Sequence, residues 1–307
     1  MRALVVSLQY NDFENAKLNG CYYDGERIIT QLKKMDRKIK IVNMRDDLDK
    51  SSNLFPTRYN ILRELKNMIL SGETRLFFYY SGHGSYAKDY NRDELSIYFR
   101  RNGLNILLRN SLFMDSCLVT NEKDSLGLLS DDMLANVLRS MKSRQLMYSF
   151  MDSCHSGTGL DLCYVKLGDL RKTVKYRNAR ELIINSRRNT RITSSYYPDK
   201  VNKVKGNVIL ISGTRDNAYS YESEINGKSQ GHFTTALVKA LNLGLYRLPL
   251  SSFYTSLIGL LNTRRQMPVL TTSKRININR YRLLGLNTKT RLSKRQQQLL
   301  LFKNRRR

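Results

Sequence analysis

Two apolar runs that each end in a polar motif constrain the fold of this chain more than any other feature. Residues 146–150 lead directly into DSCHSG, which contains Cys154, and residues 75–80 lead into SGHG, which contains His83. An apolar run of this length followed by small polar residues is typical of a buried strand that ends in a loop. Because parallel strands present their carboxyl ends at one edge of a sheet, we expect the thiol and the imidazole to lie close together.

A thiol beside an imidazole indicates nucleophilic catalysis. The reactive form of a cysteine is the thiolate, which needs a nearby base, and the sequence contains only three histidines. His83 is the predicted base for Cys154. His155 stays open as an alternative because it adjoins the cysteine, although neighbours on an extended segment point to opposite faces. The backbone N–H groups of Cys154 and Gly84 are the predicted oxyanion donors, since glycine lets the main chain approach a tetrahedral intermediate.

Hydrophobic periodicity predicts that strands and helices alternate along most of the chain. The predicted strands cover residues 3–8, 38–44, 75–80, 98–101, 105–108, 145–153, 207–212 and 268–270. The predicted helices cover residues 22–35, 58–70, 130–141, 231–243 and 251–261. This alternation predicts an α/β fold with a central, mostly parallel sheet that helices cover on both sides.

Basic side chains outnumber acidic ones, 53 to 26, which gives a formal net charge of +27. Residues 166–206 are basic and poor in large apolar side chains, and we interpret them as a linker. The linker would join a larger part, residues 1–165, to a smaller part of the same domain, residues 207–284, before a basic tail at 285–307. The excess charge favours non-specific contact with polyanions, or it reflects a proteome rich in lysine and arginine.

Cysteine usage and hydropathy predict the compartment. The four cysteines form no CxxC pair and follow no secretory leader, so we expect a reducing, cytoplasmic environment. The apolar run at residues 3–8 is far too short for a membrane helix, which needs about twenty apolar residues. We therefore expect a soluble protein without membrane contact.

The motifs together resemble those of metacaspases, cysteine peptidases of family C14 with the caspase fold. The histidine motif reads YYSGHGS and the cysteine motif reads DSCHSGT. Further segments resemble the family over roughly residues 2–272: GCYYDG, LLSDDM, ISGTRDNAYSYE, GHFTTALVKAL and QMPVLT. The resemblance implies a compact, single-chain member with a three-layer caspase-like fold and no prodomain. It also implies a cysteine endopeptidase in which Cys154 is the nucleophile and His83 the general base.

The resemblance implies a pocket for a basic substrate residue. The pocket would be lined by Asp24, Ser81 and Asp152, and it would hold the residue before the cleaved bond, called P1. Two carboxylates in a cleft bind a guanidinium or ammonium group through charge-assisted hydrogen bonds. We therefore expect cleavage of proteins and peptides after Arg or Lys. Without the resemblance, Asp24 also fits a solvated residue at the start of a helix.

The resemblance further implies stimulation by calcium at four aspartates, Asp115, Asp131, Asp132 and Asp161. A hard divalent cation takes several carboxylate oxygens, and waters complete its shell. The alternative is that Asp131 and Asp132 stabilise the first turn of a helix capped by Ser130, while Asp161 lies in a loop. The surroundings of Asp115 depart from the family's usual Asp-Gly-rich form.

Other expectations also come from the family. Where metacaspases often have a second cysteine and two aspartates, this chain has Thr214, Asp216 and Asn217, which leaves specificity beyond P1 open. The resemblance implies a monomer, because in metacaspases extra strands cover the sheet edge through which true caspases dimerise. The lysines and arginines of the linker suit self-cleavage by an enzyme of this specificity.

Two other functions stay open. A catalytically inactive basic scaffold would bind nucleic acid or acidic proteins with a steep salt dependence, and it would not need Cys154. A cysteine hydrolase of the same broad fold with a different substrate would not need Asp24 for its selectivity. Substitution of each residue therefore separates these functions from peptide cleavage after a basic residue.

Overall fold

A computed structural model gives the fold of the chain. It describes residues 1–88, 98–101, 104–107, 114–153, 160, 162, 164–166, 174–175, 204–213, 222–225, 227–261, 266, 268–274 and 276–283. The basic tail at 285–307 and most of the predicted linker lie outside these residues.

Strands and helices alternate in the described chain. The strands are β1 (Arg2–Ser7), β2 (Lys40–Arg45), β3 (Arg75–Ser81), β4 (Gly84–Lys88), β5 (Tyr98–Arg101), β6 (Leu104–Leu107), β7 (Met114–Asn121), β8 (Leu126–Ser130), β9 (Leu146–Asp152), β10 (Tyr164–Lys166), β11 (Val174–Lys175), β12 (Asn207–Ser212), β13 (Glu222–Ile225), β14 (Lys228–Gly231) and β15 (Val269–Thr272). The helices are α1 (Cys21–Met35), α2 (Arg58–Leu70), α3 (Asp131–Leu138), α4 (His232–Asn242) and α5 (Leu250–Leu261). Short 3₁₀ turns lie at Glu14–Ala16 and Leu245–Arg247.

An eight-stranded sheet forms the centre, in the order β11-β10-β15-β12-β9-β3-β1-β2. The five strands from β12 to β2 in this order are parallel to one another. The strands β15, β10 and β11 continue the sheet with antiparallel pairing. The prediction of a central, mostly parallel sheet is confirmed.

Helices cover both faces of this sheet because successive residues of the central strands are apolar. Ala3 and Val5 of β1 belong to one buried cluster, which α1, α4 and α5 complete. Leu4 and Val6 belong to the opposite cluster, which α2 and α3 complete. Side chains of a strand alternate between the two faces, so an unbroken apolar run indicates that both faces are buried. The result is the predicted three-layer arrangement.

Side-chain caps begin two of the helices where the sequence predicts them. Thr57 Oγ1 accepts a hydrogen bond from the backbone N–H of Asn60 at 3.2 Å, and α2 has the predicted bounds. Ser130 Oγ accepts from the N–H of Met133 at 3.4 Å, which confirms the capping role predicted for α3. Both caps satisfy an amide that has no partner within the helix.

Smaller sheets accompany the central one. The strands β4, β7 and β8 form an antiparallel sheet of three strands, which we call the accessory sheet, while β5–β6 and β13–β14 are antiparallel pairs. The prediction of β5 and β6 is confirmed, and β4, β7 and β8 were not predicted. Val174–Lys175 lies within the predicted linker, yet it pairs with β10 at the edge of the central sheet. No helix in the described ranges is long and apolar enough to cross a membrane.

Candidate active site

The histidine and cysteine motifs begin at the carboxyl ends of two neighbouring strands. β3 and β9 pair in parallel, and Ser81 is the register partner of Asp152. The pairing continues one residue further, because the N–H of Gly82 donates to the carbonyl oxygen of Asp152 at 3.4 Å. His83 follows Ser81 by two positions, as Cys154 follows Asp152. Cys154, His155 and Asp161 themselves lie outside the described residues.

The ring of His83 is oriented by a backbone carbonyl. Its Nε2 lies 2.8 Å from the carbonyl oxygen of Ala16, in the 3₁₀ turn before α1. A carbonyl oxygen only accepts hydrogen bonds, so Nε2 carries the proton of the neutral ring and Nδ1 has the lone pair. Nδ1 is therefore the nitrogen that can act as a base.

Tyr10 contacts His83 through both its ring and its hydroxyl group. The two rings stack with centroids 5.0 Å apart at an interplanar angle of 29°. The N–H of His83 donates to Tyr10 Oη at 2.9 Å, and Tyr10 Oη lies 2.9 Å from the carbonyl oxygen of Val119, to which it donates. Burial, reinforced by neighbouring Tyr80, raises the pKa of Tyr10 above its usual value, so the hydroxyl stays protonated and makes both bonds.

Asp46 in turn holds the backbone of Tyr10. Tyr10 has φ of 53°, a left-handed conformation that is costly for a residue with a side chain. The two carboxylate oxygens of Asp46 accept from the N–H groups of Gln9 at 2.9 Å and of Tyr10 at 2.8 Å. These bonds offset the strain and keep the ring of Tyr10 against His83.

Asp24 and Asp152 converge at the start of α4. Their side chains are 1% and 6% exposed. The N–H of Gly231 donates to Asp24 Oδ2 at 2.8 Å. Thr234 donates to Asp152 Oδ2 twice, from its N–H at 3.0 Å and from its hydroxyl at 2.7 Å. The first turn of a helix has amides without intrahelical partners, so it favours carboxylates at this position.

The close approach of the two carboxylates requires a glycine between them. A Cβ atom on Gly231 would overlap Asp152 Oδ2 and would lie 2.9 Å from Asp24 Oδ2. Ser81 is buried beside Asp152 as its register partner. The structure thus brings the three residues predicted for substrate binding to one edge of the central sheet.

Burial and the neighbouring carboxylate change the acidity of Asp24. Burial, followed by the charge of Asp152, raises the pKa of Asp24 from 3.8 to about 7. Arg27, one helical turn after Asp24, opposes this rise through an ion pair with its carboxylate. Neither Arg27 nor Gly231 was predicted as a site residue.

Three of the four aspartates predicted to bind calcium lie in or directly after the accessory sheet, with Asp115 in β7. Asp131 and Asp132 begin α3, and Asp131 accepts from the N–H of Ser116 at 3.3 Å and from the N–H of Asp132 at 3.0 Å. Burial, followed by the charges of Asp131 and Asp115, raises the pKa of Cys117 to about 12. Within the described part of the chain, no three His, Cys, Asp or Glu side chains are grouped closely enough to hold a metal ion.

A family model for the metacaspase, peptidase C14 domain matches residues 1–163, which is more than half of the chain. The chain therefore belongs to the metacaspase family. Metacaspases are cysteine-type endopeptidases, so this chain is an enzyme that cleaves protein substrates. The match includes the histidine motif and the strand that leads to Cys154.

Metacaspase-1 from three yeasts is similar to most of this chain. The protein from Candida glabrata is 26% identical over 91% of this chain and 74% of its own length. Those from Kluyveromyces lactis and Saccharomyces cerevisiae are 25% and 24% identical, each over 91% of this chain and 67% of its own length. The crystal structure of protein GSU0716 from Geobacter sulfurreducens superposes with a TM-score of 0.58 at 20% identity, over 93% of this chain and 98% of that one. This last likeness concerns the fold alone.

Several residues of this metacaspase site were missed by the sequence reasoning. Ala16 contributes a main-chain carbonyl, which any residue type supplies, and Tyr10 reaches His83 only through the tertiary fold. Arg27 had a readable signal, because an acid and a base three positions apart on a helix lie on one face. Gly84 begins β4 opposite Leu118, and its role as an oxyanion donor stays a prediction.

Proposed function

We propose that this metacaspase is a calcium-stimulated endopeptidase that cleaves after Arg or Lys, with Cys154 as nucleophile and His83 as general base. The observation that carries the proposal is the parallel register of β3 and β9, in which Ser81 lies beside Asp152. His83 follows Ser81 by two positions, and Cys154 follows Asp152 by the same number. Two loops that leave adjacent strand ends in this way favour contact between an imidazole and a thiol.

The proposed reaction begins with proton transfer from the thiol of Cys154 to Nδ1 of His83. The thiolate attacks the carbonyl carbon of the scissile bond, and the N–H groups of Cys154 and Gly84 donate to the oxyanion. The protonated ring then gives its proton to the leaving amine, which departs and leaves an acyl-enzyme. Water, deprotonated by Nδ1, releases the acid product and restores the thiol. The Ala16 carbonyl supports this cycle because it keeps the other ring nitrogen protonated.

The acidic pair supports selectivity for a basic P1 residue. Asp24 and Asp152 are buried near the carboxyl ends of β3 and β9, which His83 also follows. The side chain preceding the cleaved bond would lie there. A cation there would form charge-assisted hydrogen bonds with both carboxylates. Binding would also favour the ionised form of Asp24, whose pKa is raised to about 7 in the absence of substrate.

Calcium would be held by Asp115 and Asp131, together with Asp132 and Asp161. The donor chemistry fits, because a hard cation prefers carboxylate oxygens, and Asp131 accepts a hydrogen bond from the N–H of Ser116, the residue after Asp115. When bound, the ion would neutralise acidic charge and join the accessory sheet to the segment that follows Cys154. This chain's own residues would perform every chemical step.

We also propose a monomer that cleaves its own linker. The edge of the central sheet beyond β12 is covered by β15, β10 and β11 of the same chain, which supports the monomer. The basic residues at 166–206 would supply the cleavage sites. After calcium addition, fragment mapping should show cleavage in this range for the wild type and none for Cys154→Ala.

Hydrolysis of a fluorogenic Arg peptide, with and without calcium, tests the main proposal. The wild type should be active and stimulated by calcium. Cys154→Ala should lose all activity, and His83→Ala should lose at least about 100-fold in kcat/KM, because a general base contributes about this much or more. A folded wild type without activity in either condition would contradict the proposal.

The net charge of +27 favours a second candidate function, a basic scaffold that contacts polyanions through the tail at 285–307. Its binding to RNA or heparin would weaken steeply with salt and would be the same in Cys154→Ala, because phosphate or sulfate contacts do not need the thiol. A filter-binding titration over a range of salt concentrations measures both properties.

A further inference from the structure

Arg27 makes with Asp24 the contact that a basic substrate residue would make. It lies one turn after Asp24 on α1 and forms an ion pair with the carboxylate through Nη2. The same guanidinium donates from Nη1 to Gln230 Oε1 at 2.6 Å and from Nη2 to Thr235 Oγ1 at 3.2 Å. Acceptors from α1, β14 and α4 thus fix the cation beside the acidic pair.

The aromatic ring of Tyr23 also supports this arrangement. The guanidinium carbon of Arg27 lies 4.9 Å from the ring centroid, and the ammonium nitrogen of Lys228 lies 4.6 Å from the same centroid. An aromatic face attracts both cations. The side chain of Arg27 is only 16% exposed, so its charge is poorly screened by solvent at Asp24.

The charge of Arg27 changes what a substrate meets. Two ionised carboxylates would attract a P1 cation strongly, but the ion pair cancels much of the charge of Asp24. The ion pair therefore reduces the difference in binding free energy between a P1 cation and a neutral side chain of the same shape. We propose that Arg27 is a specificity-determining residue that weakens the preference of the acidic pair for a charged P1 residue. This inference rests on the proposed peptidase function and on Asp24 and Asp152 as its P1 site.

Arginine and citrulline at P1 form the matched test, because they have nearly the same shape and differ in charge. The measured quantity is the ratio of kcat/KM for the two peptides, in which effects common to both substrates cancel. In Arg27→Gln the ratio should rise about tenfold over the wild type, the effect expected for one partly buried charge–charge contact. The assay pH is set well above 7, because the raised pKa of Asp24 is no longer lowered by Arg27 in the variant and Asp24 must be ionised in both proteins.

Two variants control for loss of charge and loss of packing. Arg27→Lys keeps the cation, so its ratio should stay near that of the wild type. Arg45→Gln removes a guanidinium that pairs with Asp47 and Glu26 and lies 4.5 Å from the ring centroid of Tyr22. Like Arg27 it pairs with carboxylates and lies over a tyrosine ring, but none of its partners belongs to the acidic pair, so the ratio should not change. A ratio in Arg27→Gln within about twofold of the wild type would overturn the inference.

A binding measurement decides the question even if no variant cleaves either peptide. Benzamidine is a cation and benzamide is its neutral counterpart, and calorimetry on the Cys154→Ala chain gives both affinities. Adding Arg27→Gln should increase the benzamidine to benzamide affinity ratio about tenfold, while adding Arg45→Gln should not. An unchanged ratio in folded Arg27→Gln would refute the role of Arg27. Absence of hydrolysis by all variants would instead refute the proposed peptidase function.

Discussion

Two acidic pairs in this molecule have different surroundings. Asp24 and Asp152 lie near the carboxyl ends of the central parallel strands and converge on Gly231, and Asp24 contacts a cation of the same chain, Arg27. Asp115 lies in the accessory sheet and Asp131 directly after it, and their charges raise the pKa of the Cys117 thiol. The first pair therefore contacts a cation, while the charges of the second act on a thiol that stays neutral. We infer that surroundings, rather than the number of carboxylates, decide whether an acidic pair serves a substrate cation or a metal ion.

The largest expected effect concerns the pH dependence of stability at the first pair. Asp24 has a folded pKa of about 7 against an ordinary value of 3.8. Between these values the folded chain keeps a proton that the unfolded chain releases, so this residue makes the fold less stable as pH rises. The side chain at position 24 of Asp24→Asn cannot ionise. Between pH 3.8 and about pH 7, the unfolding free energy of the variant minus that of the wild type should therefore increase by up to about 4 kcal/mol.

Urea unfolding of both proteins at several pH values measures this gain. The variant also tests the comparison, because the second pair is not altered and its affinity for calcium, measured by calorimetry, should not change. A free-energy difference that stays constant with pH would show that Asp24 is ionised normally in the folded chain.

The next effect concerns the glycine on which the first pair converges. Gly231→Ala places a Cβ atom against both carboxylates, so we expect at least about a 100-fold loss in kcat/KM for an Arg peptide. Gly72→Ala is the control, because its Cβ would have no neighbour within 4 Å although its φ of +82° makes the substitution strained. It should lower stability by about 1 kcal/mol and leave kcat/KM unchanged. Equal kinetics in the two folded variants would exclude convergence on Gly231.

The smallest of the three effects tests whether the second pair binds calcium independently of the first pair. Asp131→Asn should raise the calcium concentration for half-maximal stimulation by at least about tenfold, because one charged ligand is lost. The Arg to citrulline ratio should remain that of the wild type. Activity titrations with calcium on both peptides measure the two quantities together. A changed ratio with an unchanged calcium response would reverse our assignment of the pairs.

The sequence predicted the central sheet far better than the accessory sheet. The residues of β12 and of α2 were predicted to their ends, because a strand buried on both faces and a capped helix have strong local signals. The strand β7 mixes polar and apolar residues, and no tight turn joins β4 to it, so local patterning did not reveal them. The two residues of β11 form a strand only through their pairing with β10.

Prediction of the site divided in a similar way. His83, Asp24 and Asp152 stand in short motifs, and the structure places them at one edge of the central sheet. Ala16 acts through its backbone and Tyr10 through stacking, and neither contribution depends on a sequence pattern. The sequence also predicted that the two distant motifs follow neighbouring parallel strands, and the pairing of β3 with β9 adds the register.

That register also determines where this protein can change in length. A residue inserted within β3 or β9 would advance one motif by about 3.3 Å and turn its side chains to the opposite face. The loops between the two strands have no such constraint, because loop-closure entropy grows slowly with length. Insertions and deletions should therefore accumulate in the intervening segments, around β5 and β6 for example, while the spans from Ser81 to His83 and from Asp152 to Cys154 keep their number of residues.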